Sequence, residues 1–302
     1  MKPRDFDYLR TLLKSASGLV LTDDKQYLIE SRLLPVAKKL KFETIDAMVD
    51  ELRRSEATTL KNQIVEAMTI NESFFFRDKT PFDNFENIML PKLIEAKKAQ
   101  KHIRIWSAAA STGQEAYSLS MILKEHAAEL EGWRIEIIGT DLCSEALEKA
   151  KAGVYSQFEV QRGMPVKYLV KNFKQVGSMW QINSNIRSTV QYRQFNLLNS
   201  FNLLGRFDII FCRNVLIYFD KETKSDIISR MAKQTNPNCY LVLGASETLV
   251  GLNDSFGTVP DVRGLYQIKD QASSKPAVAP LSRPASSTPQ AGTGTTGRTF
   301  SR

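Results

Sequence analysis

The chain has 302 residues, of which 42% are hydrophobic and 25% are charged, and its net charge at pH 7 is +8. This composition is typical of a soluble globular protein with a substantial core. No apolar run approaches the roughly 18 residues that a membrane span needs. Only two histidines are present, which argues against a histidine-rich metal site and a histidine-based catalytic triad.

The cysteines and the first residues bear on the compartment. Cys143, Cys212 and Cys239 are widely spaced and form no metal-type pair, a pattern typical of a reducing environment. The opening residues, MKPRDFDYLR, are charged throughout and lack the apolar stretch of a signal peptide. We therefore expect a cytoplasmic protein that inserts no segment into a membrane and binds no metal.

The first hundred residues show helical patterns and no strand pattern, which predicts a helical bundle. Thr22, Thr44 and Ser55 are suited to cap successive helices. Pro35 predicts a break or kink in the second helix. The stretch 32–41 contains no acid and four basic residues, namely Arg32, Lys38, Lys39 and Lys41. It is either a surface for an acidic partner or a solvated face.

The segment 69–78, TINESFFFRD, suits neither an amphipathic helix nor an alternating strand. We interpret it as the lining of a site, in which 74–76 are pinned in apolar surroundings. Asn71, Ser73 and Arg77 would then be presented to a ligand. The alternative is a buried connector whose polar groups bond only to the backbone.

From residue 101 the pattern changes to alternating strands and helices. Strands are predicted at 103–108, 134–139, 190–195, 207–212, 240–244 and 264–268, and helices at 114–130, 144–152 and 221–235. The alternation predicts a mostly parallel, doubly wound sheet with its ligand site at the C-terminal ends of the strands. Residues 154–192 interrupt the pattern and predict a small β-rich excursion.

Two acids follow the first two predicted strands. Small residues lead to Gly113 and Glu115 at a helix start, where a ligand can approach the backbone closely. Glu115 would repel a phosphate, so a ligand with an amine or hydroxyl groups is expected. Asp141 ends the next strand, where a carboxylate commonly accepts both ribose hydroxyls. These acids suit a cationic nucleoside such as S-adenosylmethionine, although Asp141 is alternatively a helix cap.

Several motifs then become specific. TINESFFFRD, WSAAASTGQEAYSLSMIL, GTDLCSEALEKAKAGVY, FNLL and FDIIFCRNVLIYFD occur in that order. Together they resemble the chemotaxis receptor methyltransferases of the CheR family over about residues 5–269. The resemblance implies an all-α N-terminal domain, at 1–78, before a Rossmann-like α/β methyltransferase domain, at 79–269. It also implies an inserted β-subdomain at about 156–192, and we expect a disordered tail at 270–302.

The resemblance implies S-adenosylmethionine as methyl donor, with S-adenosylhomocysteine as product, and no metal. The acceptors would be glutamate side chains on the cytoplasmic domain of chemoreceptors. The implied cofactor contacts are Asn71, Ser73, Arg77, Glu115, Asp141, Asn196, Leu197, Asn214 and Val215. Asp141 would hold the ribose, whereas Asn196 and Leu197 would lie by the adenine. Arg77 would orient the acceptor carboxylate.

The catalytic step needs no general base, because a glutamate with a reference pKa of about 4.3 is already ionised near pH 7. Besides Arg77, Tyr218 is a candidate catalytic residue in the acceptor channel, although a core tyrosine is the alternative. The basic residues Arg32, Lys38, Lys39 and Lys41 would dock the acidic receptor helices.

The sequence departs from this family at one feature, and two other functions are rivals to the one that the resemblance implies. Members that bind a receptor's C-terminal pentapeptide carry a glycine-rich loop in the inserted subdomain, and here only Gly163 and Gly177 occur, far apart. Receptor recognition without that tether is therefore expected, by a monomer that binds no nucleic acid. The rival functions are a nucleic-acid methyltransferase and a non-catalytic sensor of S-adenosylmethionine. Asn214 is followed by Val-Leu-Ile-Tyr rather than by the proline-rich loop of base amino-methyltransferases.

Overall fold

A computed structural model describes residues 1–55 and 57–269. The helices between residues 3 and 67 form a bundle. The helices are α1 (Pro3–Ser17), α2 (Gln26–Lys39), α3 (Ile45–Ser55) and α4 (Thr58–Ala67). Each buries one apolar side in a common core, to which Leu13, Leu33 and Met48 contribute fully buried side chains. α1 ends at Gly18, whose φ of 77° and N–H bond to the Lys14 carbonyl are typical of a helix end.

Two capping predictions in the bundle, those for Thr22 and Ser55, were wrong. Thr22 precedes a 3₁₀ turn, Asp23–Lys25, and its side chain makes no capping hydrogen bond. Pro35 does not break α2, which continues through it as one helix, because Ile29, Leu33 and Ala37 are buried on both sides of the proline and offset the missing hydrogen bond. A kink at Pro35 stays a prediction. Ser55 lies at the end of α3 and donates to the Glu51 carbonyl instead of capping α4. Thr44 does cap α3, since its hydroxyl accepts the Ala47 N–H at 3.0 Å.

A helix with a π-helical middle connects the bundle to the sheet. It comprises α5 (Thr80–Asn84), a π-helical turn (Phe85–Met89) and α6 (Leu90–Ala96). The helix predicted from Thr80-Pro81 is therefore present, but its middle is wound more loosely than an α-helix. Phe82, Phe85 and Met89 pack beneath the sheet in its larger apolar cluster.

The main sheet has seven strands in the order β6-β2-β1-β7-β8-β10-β9. The strands are β1 (His102–Ala108), β2 (Arg134–Asp141), β6 (Val190–Gln194), β7 (Phe207–Cys212), β8 (Thr235–Leu243), β9 (Phe256–Thr258) and β10 (Leu265–Ile268). The first five pair in parallel, and β8, β10 and β9 pair antiparallel. The doubly wound prediction is confirmed; β9 was not predicted, being three residues long.

Helices cover both faces of this sheet. They are α7 (Gln114–Glu125), α8 (Ser144–Ala152) and α12 (Lys221–Lys233). Along β1, Ile103 and Ile105 face the cluster that contains α7, whereas Trp106 faces the cluster that contains α12. This alternation follows from the two-residue period of a strand. α7 ends five residues before its predicted end, where His126 leaves helical geometry.

The inserted segment forms a separate three-stranded sheet in the order β3-β5-β4. Its elements are β3 (Val154–Ser156), α9 (Gln157–Gln161), α10 (Val166–Asn172), β4 (Phe173–Val176), β5 (Met179–Ile182) and α11 (Ser184–Arg187). A small β-subdomain is thus present, and residues from 190 onward return to the main sheet. The predicted domain boundaries remain a prediction, and the predicted tail, 270–302, lies outside the described residues.

Within residues 1–55 and 57–269, no helix combines the length and the hydropathy that a membrane crossing requires.

Candidate active site

The turn between β1 and α7 is a strained, tightly held loop. Ala109, Ser111 and Gly113 all have positive φ, of 62°, 52° and 92°. A Cβ on Gly113 would come within 2.6 Å of the Tyr192 hydroxyl oxygen, so only glycine is accommodated there. Two buried tyrosine hydroxyls clamp the turn: Tyr192 donates to the Gly113 carbonyl and Tyr155 to the Thr112 carbonyl. Tyr155 belongs to β3, so the inserted subdomain helps to fix the turn.

Beside this turn lies an open cleft of about 1040 Å³ between the helical bundle and the C-terminal ends of the strands. Every residue predicted to contact the cofactor lines it, namely Asn71, Ser73, Arg77, Glu115, Asp141, Asn196, Leu197, Asn214 and Val215. Tyr218 lines it too. The structure therefore brings together residues that are as much as 147 positions apart (71 to 218). Their contacts with a cofactor remain a prediction.

Asp141 is a buried carboxylate at the end of β2. Its oxygens accept the backbone N–H groups of Ser111 at 2.8 Å and Cys143 at 2.9 Å. Burial raises the pKa of Asp141, although these backbone bonds oppose the shift. The helix-cap alternative is not supported, since the N-cap of α8 is Cys143 and no N-cap side chain makes the capping bond there. The Ser144 N–H donates instead to Glu66 of α4 at 3.0 Å.

Glu115 is held by two donors on the floor of the cleft. Its carboxylate accepts the Ser107 hydroxyl at 2.7 Å and a guanidinium N–H of Arg213 at 3.0 Å. Arg213 also donates to Asp78 at 2.7 Å and to the Arg77 carbonyl at 3.0 Å. One cation and two anions leave this cluster with a net negative charge, which favours a cationic ligand.

The phenylalanine segment differs from its prediction in one respect. Phe75 and Phe76 are buried, as expected, but Phe74 is half-buried and lines the cleft. The guanidinium of Arg77 lies 5.4 Å from the centre of its ring and that of Arg162 lies 4.3 Å from it. Phe74 therefore supports two cations at the rim of the cleft.

The loop after β7 is fixed by one acid that the sequence did not single out. Glu247 accepts the backbone N–H groups of Asn214, Val215 and Leu216 at 2.8 to 3.0 Å, together with that of Gly244 at 2.7 Å. Asn214 has a φ of 58°, which these bonds hold in place. A turn of 3₁₀-helix, Leu216–Tyr218, then directs the chain so that Tyr218 reaches the cleft.

Burial raises the pKa of the Tyr218 hydroxyl, and nearby Arg77 opposes the shift. The phenol therefore stays protonated near neutral pH and is available as a hydrogen-bond donor.

Sequence reasoning missed the contribution of the helical bundle to the cleft. Leu19, Val65 and Met68 line it together with Leu197, and Asn196 donates its amide to the Ala16 carbonyl at 2.6 Å. These apolar groups are suited to a flat, weakly polar ring such as a base. No local pattern marks these residues, because their role depends on how the bundle packs against the sheet.

The basic stretch lies outside the cleft lining. Lys38, Lys39 and Lys41 are exposed. Arg32 is half-buried and donates to the carbonyls of Met68 and Thr69 at 3.0 and 2.5 Å. It supports the chain that leads into the cleft, whereas the lysines are available to a partner.

Comparisons with known proteins decide the family. The model described as "CheR methyltransferase, SAM binding domain" matches residues 71–264, and "CheR methyltransferase, all-alpha domain" matches residues 4–69. The chain belongs to the CheR methyltransferase family. The predicted resemblance, the fold class and the assignment as an S-adenosylmethionine-dependent methyltransferase are thereby confirmed.

Curated relatives span nearly the whole chain. It is 39% identical to "Chemotaxis protein methyltransferase Cher2" of Pseudomonas putida, with 88% of this chain and 98% of the relative covered. It is 40% identical to "Chemotaxis protein methyltransferase 1" of Pseudomonas aeruginosa, with the same coverage. A more distant relative is the "Chemotaxis protein methyltransferase" of Salmonella typhimurium, which is 31% identical over 81% of this chain and 84% of its own length.

The cleft suits the cofactor of this CheR family. Its buried acid, Asp141, is available to ribose hydroxyls, and the net negative cluster around Glu115 matches an ammonium and a sulfonium. Among residues 1–55 and 57–269, no cluster of three or more His, Cys, Asp or Glu side chains is arranged to hold a metal. The absence of a metal cofactor remains a prediction.

Proposed function

We propose that this CheR family member transfers the methyl group of S-adenosylmethionine to glutamate side chains of chemoreceptor cytoplasmic domains, forming methyl esters. The proposal rests on one observation: Arg77 and the acids Glu115 and Asp141 line a single cleft. The acids suit a cationic donor, and the guanidinium suits an anionic acceptor.

Each residue has a role in this proposal. Asp141 accepts the ribose hydroxyls, Glu115 accepts the ammonium, and the apolar side chains that line the cleft together with Leu197 enclose the base. When bound, S-adenosylmethionine supplies a methyl group on sulfonium sulfur, which an ionised carboxylate attacks without a general base. The protein therefore contributes position and exclusion of water.

Arg77 orients the acceptor carboxylate by charge-assisted hydrogen bonds. Tyr218 lines the same cleft as Arg77. Its hydroxyl group, protonated near neutral pH, is a hydrogen-bond donor beside the acceptor carboxylate. Lys38, Lys39 and Lys41 attract the acidic face of the receptor helices from outside the cleft, and Arg32 supports the cleft wall. We further propose that the chain acts in the cytoplasm as a monomer and needs no receptor pentapeptide.

The proposed function is tested by comparing methyl transfer to several possible acceptors. The chain is incubated with methyl-labelled S-adenosylmethionine and a receptor cytoplasmic fragment, duplex DNA, RNA or no acceptor. We expect base-labile label on the receptor fragment only. Label on nucleic acid would support the rival methyltransferase instead, and cofactor binding without label on any acceptor would support the sensor.

The pentapeptide is tested in a separate arm. Receptor fragments with and without the C-terminal pentapeptide are methylated under the same conditions, and peptide binding is measured by calorimetry. Equal rates and no measurable binding are expected. Tight binding of the peptide would contradict this part of the proposal.

A further inference from the structure

Arg213 occupies a position where the donor and acceptor sides of the cleft meet. It follows β7 directly, and its side chain is 2% exposed. Its two Nη atoms bond to residues from two parts of the chain: Glu115 at the start of α7, and the Arg77–Asp78 segment that precedes α5. A buried guanidinium with fixed planar geometry sets the relative position of such partners.

The Arg77–Asp78 segment needs such support. Phe76, Asp78 and Lys79 have positive φ values of 52°, 66° and 49° without being glycine. A left-handed conformation is disfavoured for these residues, so contacts outside the segment must hold it. Its hydrogen-bonding contacts include the Ser118 hydroxyl, which accepts the Phe76 N–H at 3.0 Å, and Arg213. The Phe76 ring also packs on Tyr168, with centroids 4.8 Å apart.

Arg213 also helps to hold Glu115, at the start of α7. Ser107, fully buried in β1, donates to one carboxylate oxygen, and Arg213 donates to the other. With both oxygens engaged, the carboxylate has one orientation in the cleft. Its remaining lone pairs stay available to a ligand.

We infer that Arg213 is a positioning residue with two separable effects, which rests on and deepens the proposed function. Through Asp78 and the Arg77 carbonyl it sets the backbone from which the Arg77 side chain extends, and hence the rate of methyl transfer; the guanidinium itself donates to the Glu72 carbonyl at 2.9 Å. Through Glu115, together with Ser107, it sets the affinity for the donor. Arg213 itself is proposed to touch neither the methyl group nor the acceptor carboxylate.

Two mild variants separate the effects. Asp78→Asn keeps the side-chain shape and a residue that tolerates positive φ, but it removes the charge that pairs with Arg213. We expect kcat to fall about tenfold. The Kd for S-adenosylhomocysteine should rise by less than about threefold, because Asp78 adds to the negative charge near Glu115 but does not line the cleft. Ser107→Ala should instead weaken S-adenosylhomocysteine binding about threefold to tenfold and lower kcat less than Asp78→Asn does.

A matched control lies in the same part of the chain. Asp83→Asn removes another ion pair, Lys79–Asp83 at 2.6 Å, which is more exposed and does not reach Arg213. It should change neither kcat nor Kd. Arg213→Lys, which keeps the charge but loses the planar fork, should lower kcat and weaken binding together.

The experiment measures kcat, the KM for acceptor, the Kd for S-adenosylhomocysteine and amide hydrogen exchange over 76–79 in the full chain. Asp78→Asn should speed exchange there, relative to Asp83→Asn. The inference is overturned if Asp78→Asn behaves like Asp83→Asn, or if it weakens binding as much as it slows turnover. The binding and exchange data need no acceptor, so they test the inference even if the wild-type chain methylates no receptor fragment.

Discussion

At the scale of single residues, the cleft is organised by charge. Asp141 and Glu115 bring negative charge to the cleft, and Arg77 brings positive charge to it. Their residue types, and the places of the two acids after strands, could be predicted from the sequence. Their partners could not be predicted: Arg213, Ser107 and Glu247 lie in strands and loops where any polar residue is equally consistent with a structural role.

Replacing Arg77 tests the acceptor side. In Arg77→Ala the acceptor carboxylate loses charge-assisted hydrogen bonds of about 1.5–3 kcal/mol, so kcat/KM for the receptor fragment should fall about tenfold to 100-fold. The Kd for S-adenosylhomocysteine should change less than kcat/KM does, because Arg77 is only one of the nine predicted cofactor contacts. Steady-state kinetics and calorimetry measure the two quantities. Near-normal turnover would remove Arg77 from the mechanism.

The raised pKa of Asp141 predicts that binding of the methyl donor and its product depends on pH. Burial raises its pKa above that of an exposed carboxyl group. On acidification it is therefore protonated earlier than an ordinary aspartate and loses its capacity to accept both ribose hydroxyls. Affinity for S-adenosylhomocysteine should be full above the raised pKa and decline as the pH falls through it.

Calorimetry across the acidic range measures this decline. Asp141→Asn should bind more weakly at neutral pH and should lack the wild-type component of the pH profile. Identical profiles for the two proteins would contradict a role for Asp141 in donor binding.

At the scale of elements, the β1–α7 turn shows what patterns specify and what packing adds. The strand, the glycine and the helix start were predicted from the sequence. The tyrosine clamp from β3 and β6 was not, because Tyr155 and Tyr192 lie far along the chain and look like ordinary core aromatics. Likewise Pro35 signalled a break, but burial on both sides of it preserved α2.

Two glycines with similar backbone conformations give a matched test of the turn. Gly113→Ala places a Cβ within 2.9 Å of the Ala150 Cβ as well as against Tyr192, whereas Gly177, with a φ of 61°, has no atom within 4 Å of an added Cβ. Both alanines bear the left-handed penalty of about 1–2 kcal/mol, but only Gly113→Ala also distorts the cleft.

Thermal unfolding and S-adenosylhomocysteine binding should separate these effects. Gly177→Ala is expected to bind normally and to lose only the stability that the left-handed penalty costs. Gly113→Ala is expected to lose more stability and to bind at least about tenfold more weakly. Equal behaviour of the two variants would show that the close approach at Gly113 is not needed.

At the scale of the whole molecule, the cleft exists only because the helical bundle packs against the sheet. Glu66 of α4 bonds to Ser144 and Gln194, and Lys14 of α1 forms an ion pair with Asp220 at 2.8 Å. No sequence pattern predicts such contacts between distant segments. The motif-bearing residues of the site were therefore predictable, and the bundle's share of its wall was not.

The basic stretch predicts how a partner is recruited. Reversing Lys38 and Lys39 together to Glu should raise the KM for the receptor fragment at low salt, because two attractive charges become repulsive. The difference from wild type should shrink as salt is added. The control reverses Lys92 and Lys98, which are also exposed. Methylation rates at low salt that match this control would contradict docking by the lysines.

Methylation of receptor glutamates is tested by site-resolved mass spectrometry of a receptor cytoplasmic fragment after incubation with the chain and S-adenosylmethionine. We expect added methyl groups on glutamate side chains, removable by mild base and strongly reduced with Arg77→Ala. Methylation confined to other residue types, or glutamate esters formed equally by Arg77→Ala, would contradict the proposed function.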